Sequence, residues 1–170
     1  MSVINQPVSI RRFYPTDWPN LWQLLQATFS AGGTYTFSPQ STEAEIYKAW
    51  IEIPSATFVA CNEAGDILGT YIIKPNQPGL GSHVCNCGYV VSKEAQGQGI
   101  ASQMCEHSQK LALEMGFRAM QFNFVVATNT GAVRLWQKLG FDIIGTLPGV
   151  FQHQKLGFVD ALVMFKPLVV

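Results

Sequence analysis

Charge is scarce in this chain. Asp, Glu, Lys and Arg make up 13% of its 170 residues, about half the roughly 25% usual for a soluble domain, and 11 acidic residues cancel 11 basic ones. The Arg and Lys are scattered, without the basic stripe that marks a nucleic-acid partner. No apolar run reaches the roughly 18 residues that a membrane helix needs. Asn5 and Gln6 interrupt the start where a signal peptide would be apolar, so a cytoplasmic location and no membrane partner are expected. Cysteine is sparse as well: Cys61, Cys85, Cys87 and Cys105 show no Cys-x-x-Cys spacing, and His83, His107 and His153 match no zinc pattern. No metal is expected, and the thiols read as small packed hydrophobes. No Cys-His or Ser-His pair has the spacing of a nucleophile and its base.

What the chain does have is apolar content, 48% of residues, enough to fill the core of one domain spanning 1–170. Such low charge leaves solubility thin, and a homodimer with a buried face is expected. Val8–Phe13 reads as a strand, and Trp18, Leu21, Trp22, Leu25 and Phe29 recur at helical intervals until Gly32-Gly33. Thr42-x-x-Glu45 is a capping box for a second helix through Trp50. Ala56–Asn62 and Ile67–Lys74 form a hairpin, and Val84–Val91 is a third strand. Ile100, Met104, Leu111 and Met115 mark one face of a helix ended by Gly116, and Ala119–Val126 returns as a strand. Ala132, Leu135, Trp136 and Leu139 mark a short helix before Gly140, and Phe141–Thr146 and Phe158–Phe165 complete the strands. The strand, helix and strand from Val84 to Val126 form a right-handed βαβ crossover. The fold class is therefore α/β: a twisted mixed sheet of six to seven strands with about four helices.

The third strand runs into Gln96-Gly97-Gln98-Gly99-Ile100-Ala101 at the opening of a helix. Small residues let a phosphate approach the main chain, and unpaired N–H groups at a helix start supply donors without a basic side chain. Taken alone, the glycines equally allow a tight strand-to-helix connection. Their context is more specific. Gln96, Gly99 and Ala101 meet the Gln/Arg-x-x-Gly-x-Gly/Ala signature that this segment resembles, motif A of the GNAT superfamily of acetyl-CoA-dependent N-acetyltransferases. Asn129-x-x-Ala132-x-x-Leu135-Trp136-x-x-Leu139-Gly140-Phe141 resembles motif B of the same superfamily, at the expected distance.

The resemblance implies acetyl-CoA as cosubstrate, held by the strand end Tyr89, Val90 and Val91 along its pantetheine arm and by Gln96, Gly97, Gln98, Gly99, Ile100 and Ala101 at its diphosphate. It also implies a splay between the strand ending at Val91 and the one starting at Ala119. The chain departs from the pattern at Glu94-Ala95 and at Trp136. Many relatives carry Tyr at the latter position as the acid that reprotonates the CoA thiolate, and an indole N–H is too weak an acid to replace it. A thiol of pKa about 8.5 makes a fair leaving group, so release can proceed with solvent protonation.

A narrower resemblance runs through Leu68–Asn76, Asn86–Tyr89 and Asn123–Asn129, which are similar to the fungal N-acetyltransferases that detoxify proline analogues such as azetidine-2-carboxylate. Those enzymes also place Trp at the motif B aromatic position. The resemblance implies substrate binding by Asn86 and Asn123 and a catalytic and cofactor-binding role for Asn129. It further implies a small-molecule amine as the acceptor, and the scattered basic residues give no reason to expect nucleic acid as a partner.

The residues themselves leave alternatives. Asn86 and Asn123 lie in apolar strands where an unpaired buried amide costs about 1 to 3 kcal/mol, so they either bridge backbone groups or face the splay. Asn129 sits where an N-cap belongs, which is compatible with catalysis. By the GNAT resemblance Tyr35 and Phe37 fall where acceptor pockets form, and both suit core packing equally; Phe124, within the similar segment Asn123–Asn129, joins the substrate-binding candidates. Asp160 is an amine-proton acceptor or a strand anchor, His83 a candidate base, His107 a packed imidazole and His153 a loop residue. Acetylation of a peptide and a non-catalytic CoA-binding module are the rival functions.

Overall fold

The computed structural model describes residues 5–170. A seven-stranded sheet carries the molecule, with strand order β1-β2-β3-β4-β5-β7-β6. Its strands are β1 (Ser9–Arg12), β2 (Ala56–Cys61), β3 (Ile67–Pro75), β4 (Val84–Val91), β5 (Ala119–Val126), β6 (Asp142–His153) and β7 (Gly157–Pro167). Four α-helices cover it: α1 (Trp18–Ser30), α2 (Glu43–Tyr47), α3 (Ile100–Glu114) and α4 (Thr130–Lys138). The mixed α/β class, the strand count and the helix count agree with the sequence reading. Only β4 and β5 run parallel, as the crossover through α3 requires.

Alternation along the strands separates two cores. Tyr71, Ile73, Cys85 and Cys87 face α3 and α4 with Met104, Met120 and Trp136. Val59, Ile72 and Val90 face α1 and α2 with Leu21, Leu25, Phe29 and Trp50. The four cysteines are reduced and buried in these cores. Among the described residues no group of three or more His, Cys, Asp and Glu could hold a metal, and no helix is long and apolar enough to cross a membrane.

Two boundaries differ from the sequence reading. The capping box opens α2 as expected, with Glu45 N–H donating to Thr42 Oγ1 and Thr42 N–H to Glu45 Oε2. The helix then widens into a π turn at Lys48–Glu52. Pro148-Gly149 reads as a break, yet β6 runs on to His153. Pro is tolerated on an edge strand, the pairing with β7 shifts between Leu147 and Phe151, and Gly149 N–H donates to Asp160 Oδ1 at 2.9 Å. Asp160 is thus a strand anchor. His153 ends β6 and, with Nδ1 accepting from Lys155 and Leu156 N–H, holds the hairpin turn.

Trp50 ties α2 to the sheet. It is 1% exposed, its ring edge lies against Gly88 of β4, and its indole N–H donates to Thr70 Oγ1 at 3.1 Å. Thr70 in turn donates to Phe58 O at 2.8 Å. Thr70→Val keeps the shape and removes both bonds, stranding a buried indole N–H. The expected loss is about 1 to 3 kcal/mol in denaturant unfolding, with the slope against denaturant unchanged.

Candidate active site

β4 and β5 stay together for two residue pairs only, Val84 with Ala119 and Cys85 with Met120. Beyond them the strands part. Two features hold them apart. In β5, pairing with β7 shifts between Phe122 and Val125, which bends the strand away. On the α4 side, Trp136 is wedged across the gap, its ring 5.1 Å from both the Tyr89 ring of β4 and the Phe122 ring of β5.

The parting leaves main-chain groups open. Asn76 N–H bonds Val84 O, and Ser92 N–H bonds Leu68 O, so the even-numbered residues of β4 turn their peptides toward β3. Tyr89 and Val91 therefore turn theirs into the gap, where β5 no longer meets them. One of these groups has a partner: the Tyr35 hydroxyl, from the loop between α1 and α2, donates to Tyr89 O. Burial pushes the Tyr35 hydroxyl above the usual phenol range, so it remains a neutral donor. The Tyr89 hydroxyl lies on the other side of the strand, against Ser108 Oγ at 2.6 Å, and burial raises it well above its ordinary value. Ser108 itself donates to Cys105 O, which makes Tyr89 the donor of that pair. Neither Tyr89 nor Trp136 offers an available acid to the gap.

At its far end β4 enters a short 3-10 turn and then the glycine turn. Gly97 and Gly99 both have φ of +77°, a left-handed conformation that favours glycine, and Gly99 is the residue before α3. The N–H groups of the first turn of α3 have no helical acceptor. Gln96 to Ala101 therefore form a donor-lined cradle directly after the open edge of Tyr89 and Val91, a continuous path that fits an extended arm ending in a diphosphate.

The other face of the gap, toward α1 and α2, is lined with amides. Asn86 Nδ2 donates to Gln121 O at 2.9 Å, bridging the two strands where their ladder ends. Gln121 Nε2 donates to Asn123 Oδ1 at 2.9 Å, and Asn123 Nδ2 to Asn76 Oδ1 at 2.6 Å. Asn86 is half-buried and Asn123 is exposed. The expectation of two buried amides is thus corrected for Asn123, because β5 bends outward there. Lys74 is the cross-strand partner of Asn86, is half-buried, and makes no ion pair among the described residues.

Aromatic groups wall this face. The Phe124 ring lies 6.1 Å from Phe151, and Phe151 lies 6.2 Å from His153. The loop after α1 closes on the same hairpin, with Gly32 against the Gln154 side chain and Gly33 near His153 Nε2. Tyr35 reaches the gap, whereas Phe37 packs on Phe29 at 4.6 Å and belongs to the core. Asn129 caps α4, its Oδ1 accepting from Ala132 N–H at 3.4 Å. His83 stands six residues before Tyr89, about 20 Å away along the strand, and is exposed. His107 bonds the Tyr71 hydroxyl at 2.7 Å inside the α3 core, where burial lowers its pKa. Sequence reasoning missed Gln121, Asn76 and Lys74. Their signal was strand alternation, which puts Gln121 on the face of Asn123, and Lys74 and Asn76 on that of Asn86.

The acetyltransferase (GNAT) family profile matches residues 18–141. The chain belongs to the GNAT acetyltransferase family. It is similar to the N-acetyltransferase aca1 of Schizosaccharomyces pombe, 37% identical over 94% of this chain and 74% of that one. A GCN5-related N-acetyltransferase from Kribbella flavida is 39% identical, with a TM-score of 0.89 over 94% of this chain and 97% of that one. The fold also matches a phosphinothricin acetyltransferase from Sinorhizobium meliloti in complex with acetyl-CoA, at 20% identity and a TM-score of 0.82 over 95% of this chain and 89% of that one. This GNAT enzyme is an N-acetyltransferase that takes acetyl-CoA as its cosubstrate.

Asn129 provides a separable test. Asn129→Asp keeps a good cap, and its stability should stay within a few tenths of a kcal/mol of the parent. Asn129→Ala should lose about 1 kcal/mol in thermal or denaturant unfolding. Equal losses for the two variants would mean that the cap does not stabilise α4.

Proposed function

We propose that this enzyme acetylates the amine of a small molecule, an amino or imino acid such as a proline analogue, within a ternary complex. The observation that carries the proposal is the neutral amide patch of Asn86, Gln121, Asn123 and Asn76 with Lys74 beside it. Amides suit a polar acceptor, and a half-buried ammonium without an ion-pair partner suits its carboxylate. Docking of the α1–α2 loop on the β6–β7 hairpin favours a closed pocket over the open groove that a peptide acceptor needs. The proposed substrate-binding set is Asn86, Asn123, Phe124 and Tyr35, with Phe37 behind Tyr35.

Acetyl-CoA supplies the activated acetyl thioester when bound. The chain supplies position and dipoles. The backbone of Tyr89 and Val91 pairs with the pantetheine arm, residues 96–101 hold the diphosphate, and the Val91 N–H is turned to polarise a carbonyl in the gap. The Tyr89 carbonyl, held by Tyr35, is placed to orient an incoming N–H. With no carboxylate or imidazole assigned as base, the acceptor proton passes to water, and most of the rate comes from holding the partners together. Asn129 Oδ1 is taken by the cap, so its catalytic part falls to its amide N–H, a donor role worth about 10²- to 10³-fold in turnover where such donors have been removed. A homodimer belongs to the same proposal: Ile143, Ile144, Val150 and Phe158 are exposed apolar side chains on β6 and β7.

Thiol release from acetyl-CoA, followed with free amino acids, imino acids and peptides, tests this reading. Turnover is expected with amino or imino acids, and turnover with peptides alone overturns it. Lys74→Met should raise KM for a free amino or imino acid about tenfold or more and leave KM for its amide or ester within about twofold. An equal change for both forms would remove the carboxylate from Lys74.

A further inference from the structure

The proposed diphosphate cradle turns on two left-handed glycines, Gly97 and Gly99, and glycine loses more conformational freedom on ordering than any other residue. Something must hold it in shape. The segment before β1 crosses directly over it: Gln6 N–H donates to Gln98 O at 3.1 Å, and the Asn5 side chain lies against the Cα of Gly99, where a Cβ would collide with it. A single side chain fastens the two together. Gln103, in the first turn of α3, donates from Nε2 to Gln6 O at 2.8 Å and to Gly99 O at 3.3 Å. Its Oε1 accepts from Val8 N–H at 3.4 Å. One carboxamide therefore satisfies both sides of the passing strand segment and the last carbonyl of the turn, and it joins parts of the chain about a hundred positions apart.

We propose that Gln103 is a positioning residue for the diphosphate, acting through the strap of residues 5–8 that it fastens across the 97–99 turn. It carries no charge and is already occupied by main-chain groups, so its effect is to preorganise the turn's N–H donors. The strap is an added part of the donor site, and nothing in the proposal depends on which amine is acetylated.

A donor without a diphosphate separates positioning from general structure. KM and kcat are measured with acetyl-CoA and with S-acetylpantetheine, using one saturating acceptor. For Gln103→Leu the acetyl-CoA KM should rise about fivefold to tenfold, with kcat and the S-acetylpantetheine parameters within about twofold of the parent. Gln6→Pro removes the N–H donated to Gln98 O without touching Gln103, and should shift the same single parameter. It serves as the test if the Gln103 variant fails to fold. Equal losses with both donors, or an acetyl-CoA KM unchanged in a folded variant, would overturn the proposal. A parent protein that turns over neither donor would instead count against the acceptor chosen.

Discussion

A parallel strand pair that parts after two residue pairs leaves peptide groups with nothing to bond, and each such buried group costs about 1 to 3 kcal/mol. The rest of the site is organised around that cost. Trp136 wedges the gap from the α4 side between Tyr89 and Phe122, and the shift between Phe122 and Val125 turns β5 away. Two side chains then cover groups that the strands cannot: Asn86 takes Gln121 O, and the Tyr35 hydroxyl takes Tyr89 O. The N–H groups of Tyr89 and Val91 are left facing the gap, where the proposed reading seats the cosubstrate arm. A Trp at the position where many GNAT relatives carry Tyr is therefore a spacer in this enzyme, with aromatic neighbours on both strands.

The sheet also divides the work between its two faces. In the proposed reading the donor arrives along the α3 and α4 side, where the glycine turn closes β4, and the acceptor lies under the α1–α2 loop and the β6–β7 hairpin. Anion binding by main-chain N–H groups, as proposed for residues 96–101, needs no basic side chain and so suits a chain with so little charge. The described residues show one ion pair, Arg11 of the edge strand β1 with Asp17.

Much of the fold was legible because helical and strand periods change cleanly at Gly32, Gly116 and Gly140, and because motifs A and B occupy fixed places around β5. The glycine turn proposed as the donor site was legible for the same reason, since its left-handed positions at 97 and 99 favour glycine. The acceptor side was less so. Asn123 reads as buried from its apolar neighbours, and only the bend of β5 puts it outside. Pro148 and Gly149 hide the continuation of β6, because a bulge on an edge strand carries the same residues as a turn. Gln103 gave no sequence signal, since two of its partners are peptide groups almost a hundred positions earlier.

The open edge of β4 can be observed directly by amide hydrogen exchange. With saturating coenzyme A, the Tyr89 and Val91 amides should gain at least tenfold protection together with those of residues 97–101, while the β2–β3 ladder is unchanged. Protection of 97–101 with Tyr89 and Val91 exchanging as freely as before would contradict the account, because the arm would then bind without using the parted strand.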